Sequence, residues 1–493
     1  MAEPVERPSI DPPGGPGGSL AGRLGVRGGL NNWQFTAVSA VAGLALAAGA
    51  VLAAGPWDSG QRKAEQDWAA ARARTGGAHH VPGDPSGPAP APSAPAVLAA
   101  LGTTVQDAPA GATPDLRAVL DPLLKNDALG DRRAAVVIDT ATGRRLYGKG
   151  ADAPMTPAST VKIATTVAAL SALGPDHRIP TTVRASADLR TVTLVGGGDP
   201  TLDKAALRTL AAGTARALKA GKVTSVRLRY DTSGYTGPSH HPIGPNENIA
   251  PMSALMLNEG RQDDSSSGPA PRSEDPAGDA ARTFAALLDD AGITTGADPA
   301  AGRAAKTSRT VATHLSAPLS GLVERALTNS DNDIAEALAR QTAVAAGEPA
   351  DFDGGRRAVT AQLKKLRLPL TGVNIADGSG LNRKDKVTAA LLAGLLARAA
   401  DPGHPELRPV LTGLPVAGFS GTLSGRYTTK AGGTGFIRAK TGTLTGVNSL
   451  AGTVVDTRGR LLAFAFLASG TTAPSEAQAA LDKLATALAA GER

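Results

Sequence analysis

PMTPASTVKIATTVAAL, residues 154–170, sets Ser159 and Lys162 three positions apart at the head of an apolar helical run. Pro157 and the small residues beside it precede the pattern, which predicts a helix beginning near Ser159. Residues three apart share a helix face, so the serine hydroxyl and the lysine amine come together. A serine hydroxyl is a poor nucleophile until a neighbouring base takes its proton. A lysine can be that base if burial and a nearby cation lower its pKa. Alone the pair decides nothing, because a chain of this size holds about one S-x-x-K by composition. A capping serine followed by a surface lysine accounts for the same residues without chemistry.

Outward from that helix the chain reads as strands at both ends. RRAAVVIDTATGRRLYGKG (residues 132–150) is an apolar run, a Thr-Gly turn and a second extended run, which predicts a hairpin. NSLAGTVVDTRGRLLAFAFLAS (residues 448–469) repeats the pattern with Arg458-Gly459 at its turn, and an Ala-rich helix over about 475–490 closes the chain. Strands from the two chain ends with helices between them predict an α/β (α+β) fold, one mixed sheet covered by helices. The segment 171–310 has strands and turns of its own, including TVTLVGGGDPTL (residues 191–202), and reads as an inserted, mainly β accessory domain. The main domain is then 101–170 together with 311–493.

Two further motifs follow in order. Ser330-Asp331-Asn332 lies in RALTNSDNDIAEAL (residues 325–338), at the junction of two helical patterns, where a hydroxyl and an amide can face a cleft. By itself it is a good N-cap. Lys440-Thr441-Gly442-Thr443 lies in FIRAKTGTLTGV (residues 436–447), which reads as an edge strand whose Lys and Thr alternate and whose Gly442 lets a substrate backbone approach closely. By itself it is a strand leading into a turn. Agreement of all three in order and local context is not expected by chance, and together they resemble the S-x-x-K, S-x-N and K-T-G set of penicillin-binding proteins and serine β-lactamases. More narrowly, the chain resembles the class C low-molecular-mass (type-4-like) penicillin-binding proteins, the D-alanyl-D-alanine carboxypeptidase/endopeptidases. The likeness rests on the wide separation of the first two motifs and on VGGGDPTL (195–202), APMSALMLNE (250–259) and ADGSGL (376–381), and it runs from about residue 110 to the C-terminus.

The resemblance implies a transpeptidase-like fold, an antiparallel sheet covered by helices plus an all-helical subdomain. It implies that Ser159 attacks the carbonyl between two D-alanines and that Lys162 takes its proton. Ser330, Asn332 and Lys440 would complete the proton path and position the substrate. Backbone N–H groups of Ser159 and Thr443 would form the oxyanion hole. Thr441 and Thr443, helped by Lys440, would hold the terminal carboxylate, and water would release the acyl-enzyme. Peptidoglycan D-Ala-D-Ala peptides are the implied substrates and β-lactams the implied inhibitors, with no cofactor. ADGSGL is carried over only as a marker near the cleft, since Asp377 and Ser379 also make a good glycine turn. The stretch between Lys162 and Ser330 is short for a family whose insertion usually holds two accessory domains. One of them is therefore expected to be reduced, which leaves the balance between carboxypeptidase and endopeptidase activity open.

Composition narrows the rest. The 493-residue chain is 42% hydrophobic, enough for two or three globular pieces, and its abundance of Gly (59) and Pro (36) predicts long loops. Cysteine is absent, which excludes disulfides, thiolate metal sites and a cysteine nucleophile. A net charge of +7 is thin for this length and scattered, so no nucleic-acid partner is expected. FTAVSAVAGLALAAGAVLAA (residues 35–54), uncharged and flanked by Trp33 and Trp57, reads as a membrane span over 33–57. A buried Ala-rich helix is the alternative, though its hydrophilic flanks offer nothing to bury it against. Arg23 and Arg27 predict a cytoplasmic N-terminus (1–32) and an exported remainder, with anchor favoured over cleavage near Ala48-Gly49-Ala50. Residues 58–100 read as a Pro/Ala-rich spacer, in which the adjacent His79 and His80 lack further ligands and predict no metal site. Three rival functions stay in view: a serine β-lactamase, for which no Glu-bearing loop of the class A kind stands out; a Ser-His-Asp esterase, for which G-x-S-x-G is missing; and a membrane-anchored sensor that binds without turnover.

Overall fold

The computed structural model describes residues 115–263, 265–427 and 432–490. The expected N-terminal tail, membrane span and linker lie outside the described residues. Among the described residues no helix is long and apolar enough to cross a membrane.

The main sheet joins the two ends of the folded chain. After helix α1 (Leu116–Leu124) come β1 (Arg132–Asp139) and β2 (Arg145–Lys149), the expected hairpin. The strands β8 (Ile437–Leu444), β9 (Val447–Val455) and β10 (Leu461–Ser469) return near the C-terminus, and the sheet order is β2-β1-β10-β9-β8. All pairs are antiparallel, with Val136 opposite Ala465, Ala465 opposite Ala451, and Ala451 opposite Lys440. β8 is an edge strand, as its sequence predicts.

The near-continuous apolar runs of β1 and β10 follow from burial on both faces. Ala134, Val136 and Ile138 face one core with Ala463, Ala465 and Leu467. Ala135 and Val137 face the other with Phe464, Phe466 and Leu450. The first core is closed by α2 (Lys162–Leu173), with further helices α5 (Leu319–Thr328), α6 (Asn332–Ala346), α7 (Phe352–Lys365) and α8 (Ala389–Ala400). The second is closed by α1 and the C-terminal α9 (Pro474–Ala490). Side chains alternate across a strand, so β10 presents two alanines and a leucine toward α8 but two stacked phenylalanines toward α9. The small side chains let α8 lie close to the sheet, against β1, β9 and β10. An Ala465→Leu substitution overfills that space and is expected to destabilise the protein by about 1–3 kcal/mol, read as a lower urea midpoint.

The segment between Lys162 and Ser330 contributes a second sheet: β3 (Pro180–Ala185), β4 (Thr191–Val195), β5 (Arg227–Asp231), β6 (Ala300–Ala301) and β7 (Arg309–Leu315), in the order β6-β5-β4-β3-β7. It is not mainly β. The pairs β4–β5 and β5–β6 are parallel, and parallel neighbours need a crossover. The helices α3 (Lys204–Ala220) and α4 (Pro276–Asp290), 17 and 15 residues long, lie in those two connections. Leu207, Leu210, Phe284 and Leu288 pack them on Val183, Val192, Leu194 and Leu228. The last strand runs on to Leu315, past position 310, because it pairs with β3 from Pro180 onward. Between β5 and α4 a long irregular stretch leaves this sheet and crosses back to α6, where the Ala250 N–H donates to Asp333 Oδ1 at 2.9 Å.

Candidate active site

Ser159 sits in a single 3₁₀ turn, Ala158–Val161, that leads directly into α2. The turn is held from several sides. Ser449 Oγ on β9 donates to Pro157 O at 2.6 Å, and Thr160 Oγ1 donates to the same carbonyl at 2.8 Å. Ala158, just before the serine, has φ of +49°, a conformation that costs an L residue energy and persists only where its surroundings impose it. Those surroundings include two glycines. A Cβ on Gly380 would lie 2.1 Å from Ala158 O, and one on Gly442 would lie 2.6 Å from Pro157 O and 2.1 Å from Ser449 Oγ. The expectation that Gly442 makes room for a substrate is therefore corrected: it admits the serine turn itself, from the inner face of β8. Gly442→Ala is expected to shift that turn and lower acylation by penicillin about 10²-fold, measured as the rate of covalent labelling.

Lys162 is completely buried, and its Nζ donates to Ser159 Oγ at 3.0 Å, Asn332 Oδ1 at 2.7 Å and Ser379 O at 2.6 Å. Three acceptors satisfy a primary ammonium and also orient it. Burial pulls its pKa down to about 8, while the carboxyl groups of Asp377, Asp331, Glu336 and Asp385 pull the other way. The expected S-x-x-K pair is thus in hydrogen-bond contact, and the second motif reaches the same amine through Asn332.

Ser330 joins α5 to α6 with φ of +59° and lies on the wall of the cleft. Asp331 caps α6, accepting from Ile334 N at 3.0 Å, which leaves Asn332 at the first helical position to turn its amide toward Lys162. The other end of that amide donates to Asn248 O at 2.9 Å, in the irregular stretch of the insert. Lys440 is buried on the inner face of β8, where its Nζ donates to Thr441 O at 2.8 Å. Burial and then the Lys162 ammonium push the Lys440 amine well below the usual lysine range. Thr441 and Thr443 alternate with it and line the cleft; Thr441 Oγ1 donates to Thr422 Oγ1 at 2.9 Å, and Gln478 of α9 donates to Thr443 Oγ1 at 3.3 Å. Of the residues expected at the site, Ser159, Ser330, Asn332, Thr441 and Thr443 border one open cleft of about 480 Å³, with Lys162 and Lys440 behind it and Gly442 packed away from it.

The opposite wall comes from the insert. Asn248, Arg261, Pro269 and Arg272 border the cleft, and the two arginines are already paired, Arg261 with Glu259 at 2.9 Å and Arg272 with Asp333 at 3.0 Å. Sequence reasoning missed this wall, and it missed the part played by ADGSGL. Ser379 accepts from Lys162 through its main-chain carbonyl, an atom every residue carries, so no side-chain type could flag it. The only signal was the Asp-Gly-x-Gly spacing of a tight turn.

Residues 116–268 and 262–488 match the D-Ala-D-Ala carboxypeptidase 3 (S13) family. The chain belongs to this family. It is 36% identical over 421 residues to carboxypeptidase Rv3627c of Mycobacterium tuberculosis, covering 81% of this chain and 89% of that relative. It is 38% identical over 421 residues to carboxypeptidase DacB of Mycolicibacterium smegmatis, covering 82% and 89%. Among solved structures, the crystal structure of penicillin binding protein 4 (dacB) from Haemophilus influenzae superposes with a TM-score of 0.63 at 22% identity, over 75% of this chain and 98% of that one, a likeness of fold. As a serine-type carboxypeptidase of the S13 family, the protein carries its three motifs where the fold makes them converge.

Proposed function

We propose that the D-alanyl-D-alanine carboxypeptidase reaction runs in this protein through a covalent Ser159 acyl-enzyme, on peptidoglycan stem peptides outside the cytoplasmic membrane. The observation that carries the reading is the contact of Lys162 Nζ with both Ser159 Oγ and Asn332 Oδ1, in an amine held low by burial. In its neutral form the amine accepts the Ser159 proton as Oγ bonds to the carbonyl carbon between the two D-alanines. The tetrahedral intermediate collapses with cleavage of the C–N bond. The departing D-alanine amine takes up a proton passed from Lys162 by way of Ser330. Water then adds to the ester, and Ser159 recovers its proton as the shortened peptide leaves.

The terminal carboxylate of the substrate is assigned to Thr441 and Thr443, on the cleft wall in front of Lys440. An anion there favours the charged form of Lys440. A Lys440 cation in turn disfavours charge on Lys162, so substrate binding would promote the basic form of the lysine that needs it. Placement outside the membrane is supported by residues 35–54, whose uncharged run follows Arg23 and Arg27, and by the location of cell-wall peptides. The open cleft also suits an endopeptidase action on cross-linked peptides.

The test combines two measurements on one preparation. Benzylpenicillin should add its mass to a single peptide containing Ser159, and a D-Ala-D-Ala peptide should release D-alanine with the same preparation blocked by prior labelling. A label on another residue, or D-alanine release that survives labelling, would sink the proposal. Protease protection of residues 101–493 in intact cells, lost on exposing the outer face, tests the placement.

A further inference from the structure

Behind Lys162 the chain builds a buried assembly that acyl transfer leaves without a role. His241, from the irregular stretch between β5 and α4, is enclosed with its side chain at 0% exposure, and its Nε2 lies 2.9 Å from Asp377 Oδ2. Its Nδ1 accepts the N–H of Ile243 at 3.3 Å. A neutral imidazole with one nitrogen accepting carries its proton on the other, so Nε2 is the donor to Asp377. Phe352 meets the ring edge-on, with centroids 5.3 Å apart at 89°, and holds its plane.

Asp377 gathers the turn that follows it. Its Oδ1 accepts from Ser379 N at 3.1 Å and Gly380 N at 2.6 Å, and its Oδ2 accepts from Asn382 N at 2.7 Å besides His241. Glu336 on α6 adds a second support, with Oε1 accepting from Gly378 N at 2.9 Å and Ser379 N at 2.8 Å. The carbonyl this turn presents is Ser379 O, 2.6 Å from Lys162 Nζ. Oxygen and nitrogen atoms of His241, Glu336 and Asp377 lie within 4.8 Å of one another, and each residue is committed to hydrogen bonds within the protein, which accounts for the cluster without an ion.

We infer that His241 is a positioning residue for Lys162: by donating to Asp377 it fixes the turn whose Ser379 carbonyl holds the lysine amine against Ser159. The inference rests on the reading of Lys162 as the base. Electrostatics gives it a direction. The groups facing Lys162 are Asp331 from the α5–α6 junction, Glu336 from α6, Asp377 and Asp385 from the segment before α8, and Lys440 from β8. Those facing His241 are Asp377 and, at 4.0 Å, Glu336. Burial raises Glu336 to about 7 and Asp385 well above the carboxylate range, and the Asp377 charge raises both further. Asp377 itself stays low despite burial because His241 first, then the Asp385 carboxyl and the Gly380 N–H, bind its charge. Without the His241 donor that charge is less compensated, the turn is looser, and Lys162 is held more firmly as an ammonium.

The experiment is the rate of covalent labelling of the full chain by a fluorescent penicillin between about pH 6 and pH 10. His241→Leu is expected to move the midpoint of the rise upward by about one pH unit, about 10-fold in rate at neutral pH, with the alkaline plateau retained. His241→Gln, whose amide N–H reaches the place of Nε2, is expected to return the midpoint to that of the wild type. His241→Asn, too short to reach Asp377, carries the same expectation as His241→Leu and serves if the leucine chain does not fold. A uniform loss at every pH with an unmoved midpoint, no change at all, or a glutamine variant shifted as far as leucine would overturn the inference. Ser159→Ala run in parallel separates the two readings. Labelling that persists there, or a wild-type profile flat with pH, counts against the acyl-enzyme and its lysine base, not against His241.

Discussion

Ser159→Ala is expected to reduce D-alanine release by at least about 10⁴-fold and to abolish the penicillin adduct, with the fold unchanged. The size follows from what the substitution removes. In the proposed mechanism Ser159 Oγ is the atom that bonds to the carbonyl carbon, and the neighbouring hydroxyls do not replace it: Thr160 Oγ1 and Ser449 Oγ both donate to Pro157 O. The fold should tolerate the change because Ser159 Oγ faces an open cleft and loses only the 3.0 Å bond from Lys162, whose Nζ keeps two other acceptors. The measurement is D-alanine release from a D-Ala-D-Ala peptide, alongside far-UV circular dichroism. Retention of more than a hundredth of the activity would require another nucleophile and end the acyl-enzyme mechanism through Ser159.

Removing the base should cost nearly as much. Lys162→Met keeps the volume of the stem and deletes the amine, and is expected to slow acylation about 10³- to 10⁴-fold, the scale of a positioned general base. The wild type carries a matching pH signature. The amine is active when neutral and its pKa is pulled down to about 8, so acylation should rise with pH through that region and level off above it. Stability changes in the same direction. The folded chain gives up the Lys162 proton near pH 8 while an unfolded lysine keeps it to about 10.4, so the unfolded state binds more protons in that window and folding is favoured as pH rises. Lys162→Met has no such group. The difference in unfolding free energy between the two proteins should therefore shift toward the wild type between about pH 8 and pH 10. A difference that does not vary with pH would mean that Lys162 is not an uncharged buried amine at the top of that range.

How much of this was legible in the chain depended on the range of each interaction. The hairpin of β1 and β2, the edge strand β8 and the helix after Ser159 rest on short-range patterns of apolar alternation and turn residues, and all three are found in the fold. The Gly-rich turns and Val-Thr runs of the insert stand out and suggest a mainly β domain, whereas KAALRTLAAGTARALKA is an amphipathic helix whose apolar face matters only against a sheet. The position of Gly442 in a motif suggests room for a substrate, but the atoms that require a glycine there belong to Pro157 and Ser449, far away in the chain or on the next strand. Asn248 and Ser379 serve through main-chain carbonyls and His241 through a residue that no motif contains.

The order and spacing of Ser159, Lys162, Ser330, Asn332, Lys440, Thr441 and Thr443 determined the family and the reaction proposed, because the side-chain types assigned to the nucleophile, the base and the carboxylate-binding hydroxyls are written in the sequence. The tertiary structure decided what makes them work. Burial lowers Lys162, the packing of Gly380 and Gly442 sets the angle of the serine turn, and the insert closes one wall of the cleft. Those are properties of surroundings assembled from residues distant in sequence. Desolvation and steric contact depend on where atoms lie in space, and no local pattern encodes that.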